Sequence, residues 1–177
     1  AGVVDTLLHH PSITLRTHTV ASTAVHDAGL WQVEDNAGQG LASAPVLVIA
    51  AGRDSATLLA ALGAEPAPQR VTRGQVTWFE HPSPPPRPVA GDGYAIGLRD
   101  GRLLCGATSQ PDDDDPTLRA DDHAWNLQRL RSATGLAPVD GTPLDGRVGW
   151  RVQSPDRLPL VGQWPVPAAA LPSGARR

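Results

Sequence analysis

Arg151 closes the triplet Gly149-Trp150-Arg151, and a polar turn then leads into Arg157-Leu158-Pro159-Leu160-Val161-Gly162. That order suits a strand edge aiming a guanidinium into a cleft, with a later glycine letting backbone pass close to a flat ligand. A planar fork of donors matches a carboxylate bidentately and keeps its charge near neutral pH. The chemistry indicated is capture of an anionic small group. Other reactive residue types point nowhere comparable. Cys105 lies in an apolar stretch and reads as packing. Asp112 to Asp115 lacks the glycine and spaced ligands of an EF-hand loop, so it reads as a solvated, self-repelling loop, and no metal is expected. His9 and His10 are adjacent and point apart on a helix. Neither a Gly-x-Ser-x-Gly elbow nor a Ser-His-Asp spacing argues for a hydrolase.

The elements that must position such a site come from a chain of 177 residues, enough for one domain with an ordinary core. Gly and Pro number 18 each, which predicts long loops. All 15 basic residues are Arg, a bias that fits a high-GC bacterial genome. The net charge of -3 gives no basic footprint for nucleic acid. One cysteine excludes an internal disulfide. The apolar run Ala44 to Ala51 is too short to span a bilayer and no signal peptide is visible, so a cytoplasmic protein with no membrane partner is expected. With no Met and no nucleotide-binding glycine fingerprint, the chain is expected to be a middle piece of a larger enzyme, incomplete at both ends.

Val3, Val4, Leu7 and Leu8 have helical spacing, ended by Pro11. Ile13 to Val25 reads as one long or two short strands, and Leu30 to Glu34 as another, between turns at Gly29 and Asn36-Ala37-Gly38. Pro45 to Ala51 is an uninterrupted apolar run, expected as a strand buried on both faces. Ser55 to Leu62 reads as a short helix and Val71 to Phe79 as a strand. His81 to Pro88 is a proline-rich loop. Tyr94 to Leu98 and Arg102 to Ala107 flank an Asp-Gly turn and predict a hairpin. Thr117 to Thr134 is the longest helix, and Val148 to Val152 the last strand. The sum is an α+β or α/β protein: a mixed, largely antiparallel sheet with two or three helices and no Rossmann alternation. Residues 1–165 are expected as one partial domain and 166–177 as a disordered tail.

Val48-Ile49-Ala50-Ala51-Gly52, Arg73-Gly74-Gln75-Val76, Asp92-Gly93-Tyr94, Cys105-Gly106-Ala107-Thr108 and the Gly149 to Gly162 block stand in this order along nearly the whole chain. Together they resemble the FAD-dependent D-amino-acid-oxidase-like superfamily. Arg-Gly-Gln-Val, Asp-Gly-Tyr and Arg-Leu-Pro-Leu-Val-Gly are most similar to the oxidase half of bifunctional enzymes that modify the tRNA wobble uridine. The resemblance implies a substrate domain plus strands that return to a cofactor domain, with FAD extended between the two. It also implies a missing FAD-binding segment, a fused methyltransferase half using S-adenosylmethionine, and tRNA as partner of the full-length protein. The implied reaction oxidatively removes a carboxymethyl group from a modified wobble uridine. A glycine- or sarcosine-type oxidase and a non-catalytic fragment unable to hold FAD are the alternatives.

By the same resemblance Arg151 pairs with a substrate carboxylate, where the plain alternative is a surface strand arginine in a salt bridge. Tyr94, the only tyrosine, faces the substrate amine, or else sits in the core with its hydroxyl satisfied. Gln75 offers the substrate an amide, and Gly74 gives clearance beside the flavin ring; an ordinary strand entrance explains both equally. Ala50, Ala51 and Gly52 run beside FAD, or form a buried strand ending in a glycine turn. Val20 meets the adenine end through its main chain, and Gly162 passes the flavin.

Overall fold

The structure is a computed structural model that describes residues 3–163. These fall into two compact units, one within Ala1–Pro66 and one within Ala67–Trp164. The expected tail at 166–177 lies outside the described residues.

In the first unit, helix α1 (Val3–Leu8) is followed by an irregular stretch and then strands β1 (Thr23–Asp27), β2 (Leu30–Glu34) and β3 (Gly40–Ala44). They form an antiparallel sheet in that order. Ala28 and Gly29 both adopt positive φ, the two-residue turn whose twist matches the flanking strands. The second turn is held by Asp35, whose carboxylate accepts the N–H groups of Ala37 at 2.8 Å and Gln39 at 2.9 Å. A 3-10 turn at Gly52–Asp54 then runs into α2 (Ser55–Ala61).

Two expectations fail here for one reason. Ile13 to Val25 pairs only from Thr23 onward, and Pro45 to Ala51 is not a strand. Val46 and Val48 are 71% and 80% exposed instead of buried. A strand needs a neighbour for its N–H and C=O groups, and no described strand pairs with Ile13 to Ala21 or with Pro45 to Ala51.

The second unit is built on β4 (Arg70–Glu80), with β5 (Val89–Ala90), β6 (Tyr94–Gly97), β7 (Arg102–Gly106), β8 (Gln110–Pro111), α3 (Ala120–Thr134) and β9 (Asp145–Gln153). The path β5-β6-β7-β4-β8 is antiparallel throughout, and β9 pairs with β4 along its length. The class is therefore the expected α+β, with every described pairing antiparallel. Helix α3 packs on one face, where Phe79, Ala95, Leu103, Cys105 and Leu130 make the core. The helix stops at Gly135, whose φ of 73° is the left-handed conformation a glycine takes without a Cβ penalty.

Candidate functional site

Alternation along β4 divides its side chains between two environments. Arg73, Gln75, Thr77 and Phe79 are buried, while Thr72, Gly74, Val76 and Trp78 between them are only partly covered. The register with β9 sets Thr72 opposite Arg151, Gly74 opposite Gly149, and Val76 opposite Arg147. One face of the β4–β9 pair thus carries two arginines flanking two glycines that lie side by side. A cavity of about 310 Å³ opens there, bounded also by Tyr94, Ala107 and Thr108. Tyr94 joins through the sheet: it pairs with Gly106 on β7, and Gly106 pairs with Val76.

Electrostatics tie two of these groups together. Burial pushes the Tyr94 hydroxyl above its usual range, with Cys105 adding to the rise and the Arg151 guanidinium opposing it. Tyr94 therefore stays protonated, a donor beside a cation. Among the described residues neither Arg151 nor Arg147 makes an ion pair. Gly149 has open space where a Cβ would project. The cavity floor is thus bare and positively lined, suited to an anion with a flat or slender body.

The opposite face is closed by its own bonds. Arg73, fully buried, donates to Asp122 at 2.6 Å, to Gln110 Oε1 at 3.0 Å, and to the carbonyls of Asp115 at 2.7 Å and Thr117 at 2.5 Å. Gln75 accepts the Arg119 N–H at 2.9 Å and donates to the Arg119 carbonyl at 3.0 Å, which fixes the chain as it enters α3. Its amide is spent on the helix and does not line the cavity. Gln75 is thus not brought to the site expected of it, because β4 turns odd positions toward α3.

Gly74 does line the cavity, but a Cβ there would meet the Thr108 carbonyl at 2.9 Å. The close approach of the Thr108 backbone, between β7 and β8, alone therefore requires glycine. The acidic run is likewise not a self-repelling loop. Asp113 and Asp115 bind Arg119 at 2.6 and 2.8 Å, and Trp150 donates to the Asp113 carbonyl at 2.9 Å. Thr117 and Arg119 donors hold the Asp115 carboxyl below its usual range, and Arg119 does the same for Asp113. Cys105 is buried, which pushes its thiol up to about 12 and keeps it protonated.

The remaining expected residues lie elsewhere. Val20, Ala50, Ala51 and Gly52 belong to the first unit and are exposed, with Gly52 at a φ of 59°. The Ala51 N–H donates to the Ser55 hydroxyl at 3.0 Å. Gly162 is exposed, after an exposed Leu158 to Val161 run. The turn before that run is organised by Asp156, which accepts the Leu158 N–H at 3.1 Å. Residues that sequence reasoning missed are Arg147, Thr72, Val76 and Thr108. The signal for Arg147 was its spacing of four from Arg151 across a glycine. A strand started at Val148 leaves it out.

This fold is shared with solved oxidases. Glycine oxidase from Geobacillus kaustophilus superposes with a TM-score of 0.69 at 25% identity, over 86% of this chain and 41% of that one. Glycine oxidase from Bacillus cereus superposes with a TM-score of 0.63 at 21% identity, over 82% of this chain and 40% of that one, which shows the fold alone. The chain belongs to the FAD dependent oxidoreductase (DAO) family, whose profile matches residues 8–173. Among curated relatives, the tRNA 5-methylaminomethyl-2-thiouridine biosynthesis bifunctional protein MnmC of Methylibium petroleiphilum is 47% identical over 81% of this chain. MnmC of Paraburkholderia phytofirmans is 41% identical over 76% of it. The chain spans 23% and 21% of the lengths of these two relatives.

The family's cofactor fits what the residues offer. The exposed Ala50-Ala51-Gly52 backbone presents small residues that let a flat group approach closely.

Proposed function

We propose that this chain holds the substrate in an FAD-dependent oxidoreductase acting on the CH–NH group of a secondary amine. The substrate is carboxymethylaminomethyl-(2-thio)uridine at the tRNA wobble position, from which the carboxymethyl group is removed. One observation carries the reading: the Arg151 guanidinium stands without an ion-pair partner among the described residues, in a cavity it shares with Tyr94. That arginine belongs to a chain 47% identical to an MnmC.

Bound FAD supplies the acceptor for the electrons of the amine's C–H bond. In the first unit Val20, Ala50, Ala51 and Gly52 are proposed to contact it, and in the second Gly74 and Gly162. The chain's own contribution is binding and orientation. Arg151 anchors the carboxylate through two parallel N–H bonds, fixing the neighbouring carbon. Tyr94, kept protonated by burial, donates to the ligand and cannot become an anion that competes for Arg151. Gly149 leaves the floor open beside Arg151.

The full-length protein is proposed to act on tRNA in the cytoplasm, with a fused methyltransferase half that remethylates the exposed amine from S-adenosylmethionine. No described helix is long and apolar enough to cross a membrane. The test is to incubate the full-length protein with tRNA bearing the carboxymethylaminomethyl group and to digest the product for nucleoside mass spectrometry. Conversion to the aminomethyl nucleoside is expected. Unchanged tRNA alongside oxidation of glycine or sarcosine would instead establish the amino-acid oxidase, the reading favoured by the glycine oxidase superposition.

A further inference from the structure

We propose that Arg147 forms a second anion site beside Arg151, one that takes a backbone phosphate of the RNA whose modified base enters the cavity. The inference rests on the tRNA reading above and names the group that separates tRNA from a free amino acid. Arg147, Gly149 and Arg151 share one face of β9, so the two arginines start about 13 Å apart, four strand residues at roughly 3.3 Å each. Both line the same cavity, and the glycine between them leaves nothing in the way.

Arg147 has no structural employment on this face. Its cross-strand neighbour is Val76, which offers no charge. The next side chain along the same face is Asp145, whose carboxylate accepts the Gly146 N–H at 2.7 Å. Among the described residues Arg147 enters no salt bridge. The contrast with Arg73, four bonds deep in the opposite face, is complete.

An amino acid the size of glycine carries one carboxylate, and one guanidinium saturates it. A second cation a whole ligand-length away serves only a molecule with a second, separated anion. A carboxymethyl-bearing nucleotide within a strand is such a molecule: the carboxylate lies at the base and phosphates flank the ribose. Phosphate contacts position a nucleic acid without reading its sequence. That is the service needed by an enzyme whose chemistry recognises the base modification itself.

The test uses the full-length protein and two probes, an anticodon stem-loop RNA carrying the modified uridine and the same modified nucleoside without phosphate. For Arg147→Ala, the preference in kcat/KM for the stem-loop over the nucleoside is expected to fall about tenfold, the size of one charge-assisted hydrogen bond. The slope of log binding constant for the stem-loop against log salt is expected to flatten by about 0.7, one phosphate's share on a single strand. Arg147→Lys is expected to restore most of the slope, because a point charge suffices for counterion release. Arg99→Ala removes the same charge from the Arg99-Asp100-Gly101 turn outside the cavity and serves as the control. Equal losses on both probes would overturn the phosphate site and leave the tRNA reading standing. So would an unaltered slope. Wild-type protein that oxidises neither probe would overturn both.

Discussion

The two faces of the β4–β9 pair both carry arginines and do opposite things. On the helix side, Arg73, Gln75 and Thr77 are buried, and Arg73 and Gln75 spend their polar groups on the loop that enters α3 and on its first residues. On the open side, Arg151 and Arg147 from β9 stand over two glycines, with no ion pair among the described residues. The difference teaches that a guanidinium's role is set by what already satisfies it. A partnered arginine is architecture; one without an ion pair, lining a cavity, is available to an anion.

The comparison breaks most violently on the closed face. Asp122→Ala would leave the Arg73 charge buried without its carboxylate, and breaking such a pair costs about 3–5 kcal/mol. Urea unfolding monitored by circular dichroism should show that loss. A change below about 1 kcal/mol would mean that the carbonyls and Gln110 hold Arg73 by themselves.

The two facing glycines sharpen the contrast at smaller scale. Gly74→Ala forces a shift at the Thr108 carbonyl and should destabilise by about 1–3 kcal/mol, the usual range for overpacking. Gly149→Ala meets nothing and should stay within about 0.5 kcal/mol of the parent. Gly149→Leu should raise KM in the full-length enzyme while leaving the thermal midpoint nearly unchanged. Equal stability losses at the two glycines would mean that the Thr108 carbonyl does not single out Gly74.

Acid should act through the loop that α3 enters. Asp113 and Asp115 have carboxyls held below their unfolded range, so the unfolded chain takes up protons first as pH falls. Their contribution is present above about pH 4 and is lost progressively below it. His123 works in the same direction: burial lowers its pKa, so the unfolded state protonates before the folded one below about pH 6.5. The urea midpoint should fall between pH 6 and 3, roughly the span of those unfolded values, and Arg119→Ala should flatten the steeper, acidic part. An identical pH profile in the variant would detach these carboxylates from Arg119.

The hairpin at Tyr94 to Gly106, the long helix and the last strand were legible because each carries local instructions: an Asp-Gly turn, helical spacing, alternation. Pro45 to Ala51 was misread because an apolar run says that a segment can be buried, not what will bury it. Arg151 and Tyr94 were legible as candidates through their surrounding motifs, and the structure brings both to the lining of one cavity. Gln75 was not, since its role depends on the side of the sheet that α3 occupies, a tertiary fact. Arg147 needed the register of β9 and the extent of that strand back to Asp145.

The account rests on Arg151 meeting a carboxylate, and the most direct measurement is steady-state kinetics of full-length Arg151→Ala on the carboxymethylaminomethyl substrate. A charge-assisted pair is worth about 1.5–3 kcal/mol, so KM should rise tenfold or more while the bound-flavin spectrum and thermal midpoint are retained. Kinetics indistinguishable from the parent would remove Arg151 from the site, and the open face of β4 and β9 would lose its claim to be the place where substrate binds.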